Sequence, residues 1–230
     1  MTELSPATDL DTLEDIERVM KRDEIEQLGI LRTDLKALVN YTHSPDLSSA
    51  LQFINTKTVL EVGPSDRFEA LINIHQSLPD LPLENIWAVD PEFNFNVYPD
   101  QTTFVQKITK KSYPLQEILE EISGKFDLVL CKGVVSIGAG ITTKNPSVLT
   151  DILKTIKESI NPHNKKAVAI ISSKRGLLLP FNTELLRKVG LEPVYFMPPT
   201  TEDLHWEKIL AEMGMLDRQS FKLVICQRAN

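Results

Sequence analysis

The stretch TVLEVGPSDRFEALINIHQ, Thr58 to Gln76, decides the fold, because the spacing of its apolar residues changes at Gly63. Before Gly63 runs an apolar segment typical of a buried strand, and after it apolar residues recur with the spacing of a helix. Glycine permits backbone angles denied to other residues and allows close approach. Ser65 and Asp66 are favourable N-cap residues, and Asp66 with Glu69 has the spacing of a capping box. The sequence therefore predicts a strand, a tight turn and a helix.

Strand-like and helix-like patterns alternate along the rest of the chain. Short apolar runs predict strands over residues 58–62, 85–90, 103–106, 126–131, 167–172, 193–196 and 221–227. Helical patterns fall between them, over 68–78, 115–122, 147–160, 183–189 and 202–213. This alternation is typical of a parallel sheet covered by helices, an α/β fold. Helical periodicity over residues 10–53 predicts an N-terminal helical cap over residues 1–55, which joins a sheet domain over 56–230 in one compact unit.

Composition narrows the class of protein. The 230 residues are 42% hydrophobic and 25% charged, which is the balance of an ordinary globular protein with one core. A net charge of −7 disfavours nucleic acid as a partner, while an acidic helical segment leaves a protein partner open. No run of residues is apolar and long enough to span a bilayer. Two cysteines suit a reducing compartment, so we expect a cytoplasmic protein.

The second predicted strand ends in an acidic residue, Asp90. An acid at the tip of the strand beside a glycine turn can accept both hydroxyl protons of a ribose. The turn lacks the G-x-G-x-x-G pattern that brings backbone amides against a pyrophosphate, which disfavours a nicotinamide-dependent oxidoreductase. Pro64 supplies no N–H, and the carboxylate of Asp66 would repel phosphate. An adenosine cofactor without phosphates therefore fits this edge of the sheet better.

These segments resemble the class I S-adenosylmethionine-dependent methyltransferases. The resemblance rests on VLEVGPS at 59–65, WAVDP at 87–91 and FDLVLCKGVVSIG at 126–138, and by order of elements it covers the chain from about Thr58 onwards. It implies a seven-stranded, mostly parallel Rossmann-like sheet with helices on both faces and an N-terminal helical cap. It also implies S-adenosylmethionine as the cofactor.

The resemblance assigns roles to particular residues. Gly63 would lie against the methionine part of the cofactor, Glu61 would help to hold its amino group, and Asp90 would bind the ribose. Ser65 stands where most members of the family have a second glycine. Cys131 and Lys132 would border the reactive end of the cofactor. The cofactor-binding set is therefore predicted to be Glu61, Gly63, Ser65, Asp90, Cys131 and Lys132.

Catalysis by methyl transfer depends mainly on positioning, so no diagnostic catalytic motif is required. His205 and His43 are the candidates for a general base, since an imidazole titrates near neutrality. Histidine, cysteine and carboxylate residues show no metal-ligand spacing, so no metal is expected. The leading hypothesis is a methyltransferase that acts on a small molecule. The alternative is a catalytically inactive methyltransferase-like domain that serves as a binding or regulatory subunit, suggested by Ser65, Arg67 and a third strand that no acidic residue follows.

Overall fold

The strand β1, Val59–Val62, lies in the middle of a seven-stranded sheet in a computed structural model of the chain. The structure describes residues 34–63, 68–89, 108–111, 119–132, 146–172, 179, 181–197 and 222–229. Parallel neighbours flank β1 on both sides, with Val62 beside Val89 of one strand and Cys131 of the other. All four residues of β1 are buried, as their continuous apolar pattern predicts for a central parallel strand.

The remaining strands complete the sheet around β1. They are β2 (Ile86–Val89), β3 (Thr109–Lys111), β4 (Leu128–Lys132), β5 (Val168–Ser172), β6 (Leu191–Met197) and β7 (Leu223–Arg228). Their order across the sheet is β3-β2-β1-β4-β5-β7-β6. β7 pairs antiparallel with both β5 and β6, while the other pairings are parallel. The sheet is therefore mostly parallel, with one reversed strand inserted near an edge.

Helices cover both faces of the sheet. The first face carries α1 (residues 34–42), α2 (Leu47–Ile54) and α3 (Glu69–Ser77), and we call it the α1–α3 face. The opposite face carries α4 (Leu119–Ile122), α5 (Pro146–Ser159) and α6 (Thr183–Lys188), and we call it the α4–α6 face. Because side chains alternate along β1, Val59 packs in the core of the first face, and Leu60 and Val62 pack in the core of the second.

The connection from α1 to β1 is built from residues with local capping roles. Asp46 caps α2, where its carboxylate accepts a hydrogen bond of 2.8 Å from the backbone N–H of Ser49. Asn55 ends the same helix in the left-handed conformation, at φ 59°. Leu38 of α1 and Leu51 of α2 share a core with β1. The described part of the predicted cap thus packs directly on the sheet.

Asp127 organises the edge of the sheet from which the parallel strands start, which we call the amino edge. Its carboxylate accepts hydrogen bonds from the backbone N–H of Lys57 at 2.9 Å, from the Thr58 hydroxyl at 3.2 Å, and from the amides of Asn161 at 3.0 Å and Asn164 at 2.8 Å. Asp127 is buried, with 3% of its surface exposed. One side chain therefore joins the loops that precede β1, β4 and β5.

The α/β fold, the mixed sheet and the helices on both faces confirm the architecture predicted from the sequence. The strand β3, Thr109–Lys111, was not predicted from the sequence, and the strand predicted at 103–106 lies outside the described residues and stays a prediction. The helix predicted over 202–213 also lies outside them. The boundary between cap and sheet domain at residue 55 stays a prediction. None of the helices in the described ranges is long and apolar enough to cross a bilayer.

Candidate functional site at the carboxyl edge of the sheet

Four parallel strands end together at the edge opposite Asp127, which we call the carboxyl edge. Val62 lies beside Val89 and Cys131, and Lys132 lies beside Ser172. In an open α/β sheet, ligands bind outside the carboxyl ends of the strands. This edge is therefore where the residues predicted for the site should meet.

Gly63 turns the chain immediately after β1. Its φ of 70° lies in the left-handed region, which glycine adopts without strain. The N–H of Gly63 donates a hydrogen bond of 2.9 Å to the carbonyl of Val89, the last residue of β2. The turn is thus attached to the residue that precedes Asp90. Asp90 itself and Ser65 lie outside the described residues.

Glu61 is a buried carboxylate in the middle of the sheet. It lies on β1 between Ala88 and Leu130, and 1% of its surface is exposed. Alternation along the strand puts its side chain on the α1–α3 face, like that of Val59. Carboxylates are almost never fully buried without a specific role or partner. A buried acid two residues before the glycine turn is therefore the main electrostatic feature of β1.

The start of α3 differs from the predicted capping box. Phe68 occupies the N-cap position at φ 51° and makes no side-chain capping bond, and Glu69 is the first helical residue. A capping box needs Glu69 at the third position, so the prediction that paired it with Asp66 was wrong. Burial of the Phe68 ring, 2% exposed in the core of the α1–α3 face, determines where the helix begins.

Cys131 is packed in the core of the α4–α6 face and is 1% exposed. Burial raises the pKa of its thiol to about 12, because the charged thiolate is poorly solvated there. A neutral thiol is a weak nucleophile. Cys131 therefore belongs to the wall of the carboxyl edge as a packed side chain, and Lys132 ends the strand beside it.

Asp34 and Ser172 form a contact that the sequence analysis missed. The hydroxyl of Ser172 donates a hydrogen bond of 2.8 Å to Oδ2 of Asp34, across 138 residues of sequence. Asp34 is 8% exposed and Ser172 is 3% exposed. The contact attaches the described start of α1 to the last residue of β5. The two residues are too far apart in sequence for any local pattern to have indicated the pair.

His43 lies at the opposite end of α1. From Asp34 at the carboxyl edge, α1 runs to Tyr41, whose hydroxyl accepts a hydrogen bond of 3.3 Å from Gln227. Gln227 also donates to the carbonyl of Lys165, in the loop that starts β5 at the amino edge. His43 follows Tyr41 and is exposed, so the structure does not bring it to the carboxyl edge. His205 lies outside the described residues. Within the described ranges, no three metal-ligating side chains group closely enough to hold an ion.

The order of the strands and the reversed β7 define the class I methyltransferase fold. This assignment rests on the topology of the sheet, in which β1 and β4 are adjacent at the centre and β7 is inserted between β5 and β6.

Comparison with solved structures finds proteins of this fold. The antibiotic-resistance methyltransferase Kmr matches 80% of this chain and 93% of its own, at 13% identity and a TM-score of 0.43. The 16S rRNA (adenine(1408)-N(1))-methyltransferase from Catenulisporales acidiphilia matches 76% of this chain and 88% of its own, at 14% identity and a TM-score of 0.45. PigF with SAH matches 87% of this chain and 65% of its own, at 11% identity and a TM-score of 0.43. No protein-family profile and no curated protein sequence matches the chain.

The expectation that nucleic acid is disfavoured as a partner requires correction. It rested on the net charge and on the lack of a long run of lysine and arginine in the sequence, whereas the matched structures include 16S rRNA methyltransferases. Net charge sums over the whole surface, whereas a nucleic-acid partner is bound by a local patch or groove. The charge of −7 is therefore no ground for excluding an RNA acceptor.

Proposed function

We propose that this protein is an S-adenosylmethionine-dependent methyltransferase. One observation carries the proposal: the Gly63 turn is hydrogen-bonded to the end of β2, with the buried carboxylate of Glu61 two residues before it. That arrangement gives close backbone access beside an acidic group, at the edge of the sheet where ligands of this class of fold bind. The resemblance of VLEVGPS and WAVDP to the methyltransferase motifs concerns these same two strands.

The residues of the carboxyl edge fit such a cofactor. Glu61 would attract the amino group of its methionine part, and Gly63 and Ser65, which have no side chain and a small one, would leave room for that part. Asp90, which directly follows the residue bonded to Gly63, would accept the ribose hydroxyl protons. Cys131 and Lys132 would border the reactive end from β4. When bound, the cofactor supplies a methyl group on a positively charged sulfur.

The contribution of the chain to the reaction is orientation and exclusion of water. Methyl transfer needs the acceptor atom in line with the bond that breaks. Holding both reactants in this geometry therefore lowers the activation barrier substantially. For a proton that leaves the acceptor, His205 is our proposed base. No observation on the described residues supports the alternative of an inactive binding subunit.

For the acceptor, we propose a small molecule. Asp34 and Ser172, buried against each other, contribute polar side chains to the described part of this edge. An extruded base of RNA is the alternative acceptor. A methyl-transfer assay to identify the acceptor should therefore test RNA as well as a panel of small molecules.

Isothermal titration with S-adenosylmethionine and S-adenosylhomocysteine tests the cofactor. We expect both to bind the wild-type protein, and Glu61→Gln to weaken binding by roughly tenfold or more, because a hydrogen bond to a charged group contributes about 1.5–3 kcal/mol. Glu184→Gln on the exposed surface of α6 is the matched control and should bind like wild type. Absence of binding to the wild-type protein at millimolar ligand would refute the proposal.

A further inference from the structure

The amino edge of the sheet carries an exposed cluster of one aromatic and three basic side chains, which we call the amino-edge patch. It consists of Phe53 near the end of α2, Lys57 before β1, and Lys165 and Lys166 in the loop before β5. All four residues are exposed, and 45% of the surface of Phe53 is open to solvent. A cluster of this composition can bind another molecule only if the fold holds its members side by side.

Hydrogen bonds hold the two segments of the patch together. The side-chain amide of Asn164 donates to the carbonyl of the last residue of α2 at 2.9 Å and to Oδ1 of Asp127 at 2.8 Å. Oδ2 of the same carboxylate accepts the backbone N–H of Lys57 at 2.9 Å. Between the side chains, Nζ of Lys166 lies 4.2 Å from the centroid of the Phe53 ring, which is the geometry of a cation–π contact. The patch is therefore one preorganised surface.

The positive charge of the patch is not neutralised by ion pairs. Residues 47–58 and 161–167, which carry the patch, include no acidic residue. Asp127 lies between them, but it is 3% exposed and its carboxylate accepts four hydrogen bonds. Within the described ranges, no carboxylate pairs with the three lysines, including those of Asp80 and Glu84 in the segment before β2. The lysines are therefore available to an anionic partner, although the net charge of the chain is −7.

The combination of lysines and an exposed ring favours a single-stranded nucleic acid as that partner. Lysine ammonium groups bind phosphates, and bases stack on aromatic side chains without sequence preference. Because the lysine side chain is flexible, Lys166 can move from the ring of Phe53 to a phosphate when a base takes its place. The carboxylates of an acidic protein segment could also pair with the lysines, but they would gain nothing from the ring.

We propose that the amino-edge patch is a docking surface for single-stranded nucleic acid, in which the three lysines bind phosphates and Phe53 stacks on a base. Buried polar residues at this edge maintain the fold, and the exposed side chains above them serve binding. The inference goes beyond the proposed function and does not depend on it, because the patch lies at the edge of the sheet opposite the proposed cofactor site.

Fluorescence anisotropy over a range of salt concentrations tests the proposal, with labelled oligouridylate and oligothymidylate, each about twelve nucleotides long. We expect both to bind the wild-type protein, with an affinity that falls as salt rises. The double variant Lys57→Gln/Lys166→Gln should bind roughly tenfold more weakly at low salt. The slope of log affinity against log salt should shrink by about 1.4, because each lost phosphate contact contributes about 0.7. Preference for one oligonucleotide identifies the partner as RNA or DNA.

The ring and the overall charge are tested separately. Phe53→Ala should weaken binding roughly fivefold or more, because a base loses its stacking partner, and Phe53→Trp should retain it. Lys36→Gln/Lys154→Gln is the matched control for the lysine pair. It removes the same charge from exposed lysines of α1 and α5, outside the patch, and should bind like the wild-type protein.

The inference is overturned if the wild-type protein binds neither oligonucleotide at low salt, or if the control pair weakens binding as much as Lys57→Gln/Lys166→Gln. Unchanged binding by Phe53→Ala also overturns it, and competition by polyglutamate would then indicate an acidic protein as the partner. Titration with S-adenosylhomocysteine should give the same affinity for the patch variants as for the wild-type protein. Failure of the proposed function would therefore be seen separately from failure of this inference.

Discussion

The two edges of the sheet use buried carboxylates differently. At the amino edge, Asp127 accepts four hydrogen bonds from two other segments of the chain, so its partners belong to the fold itself. At the carboxyl edge, Glu61 and Asp34 are buried beside the ends of the strands, where a ligand of this class of fold binds. The comparison suggests that amino-edge polar residues maintain stability and carboxyl-edge polar residues serve binding. Substitutions at the two edges should therefore affect different measurements.

The largest effect is expected from Asp127→Ala. It removes the acceptor of the Asn161 and Asn164 amides and of the Lys57 N–H in partly buried contacts, and a donor left unsatisfied away from water costs about 1–3 kcal/mol. We expect the free energy of unfolding to fall by about 3 kcal/mol in urea denaturation. Asp151→Ala, on the exposed surface of α5, is the control and should change it by less than about 0.5 kcal/mol.

Titration of the folded Asp127→Ala protein with S-adenosylhomocysteine then tests the division between the edges. We expect the affinity to equal that of the wild-type protein under conditions where both are folded. A large loss of affinity without further loss of stability would show that the amino edge also serves the site, and the comparison would fail.

Two glycines with similar backbone angles allow a sharper comparison of the two edges of the sheet. Gly63 at the carboxyl edge has φ 70°, and Gly124 at the amino edge has φ 65°. Alanine at either position should lower the free energy of unfolding by about 1–2 kcal/mol, since left-handed angles are unfavourable for residues with a Cβ. At Gly124 the added Cβ would also lie 3.2 Å from Cδ of Pro162.

Ligand binding should separate these two variants. Gly63→Ala adds a methyl group in the turn proposed to face the cofactor, so we expect S-adenosylhomocysteine affinity to fall by roughly tenfold, whereas Gly124→Ala should retain it. Thermal unfolding with and without the ligand measures both quantities. Equal ligand-induced stabilisation of the two variants would remove Gly63 from the proposed site.

The smallest effect concerns Glu158, at the end of α5. Its carboxylate accepts a hydrogen bond from Lys157 and lies 3.2 Å from the guanidinium of Arg228, and these contacts lower its pKa below the ordinary value of 4.5. A lowered pKa in the folded state stabilises the fold above the unfolded-state value, and this contribution is lost as the pH falls through the folded-state value.

We therefore expect Glu158→Gln to lower the free energy of unfolding at neutral pH by about 0.5 kcal/mol or less, since the group is partly exposed. The difference from the wild-type protein should disappear in acid. Urea denaturation at several pH values measures it. A difference that persists unchanged below the folded-state pKa would show that packing of the side chain, and not its charge, is responsible.

Much of the fold could be predicted because its signals are local. The predicted strand over 58–62 matches β1, Val59–Val62, and the predicted helix over 147–160 matches α5, Pro146–Ser159. Because the central strands are buried on both faces, their residues are continuously apolar, and this pattern can be recognised in a single sequence. The strand β3, Thr109–Lys111, was missed because it is a short edge strand with a polar sequence and lacks that signal. The start of α3 was misjudged because burial of Phe68 outweighed capping preference.

By itself, the sequence determined the alternation of strands and helices, the glycine turn after β1 and the acidic residue within that strand, since each depends on neighbours a few positions away. Only the tertiary structure decided that Asp34 meets Ser172, that Asp127 joins three loops, and that His43 lies far from the carboxyl edge. Those contacts join residues 34 or more positions apart. Their formation depends on how whole elements pack against one another, which no local pattern of residues encodes.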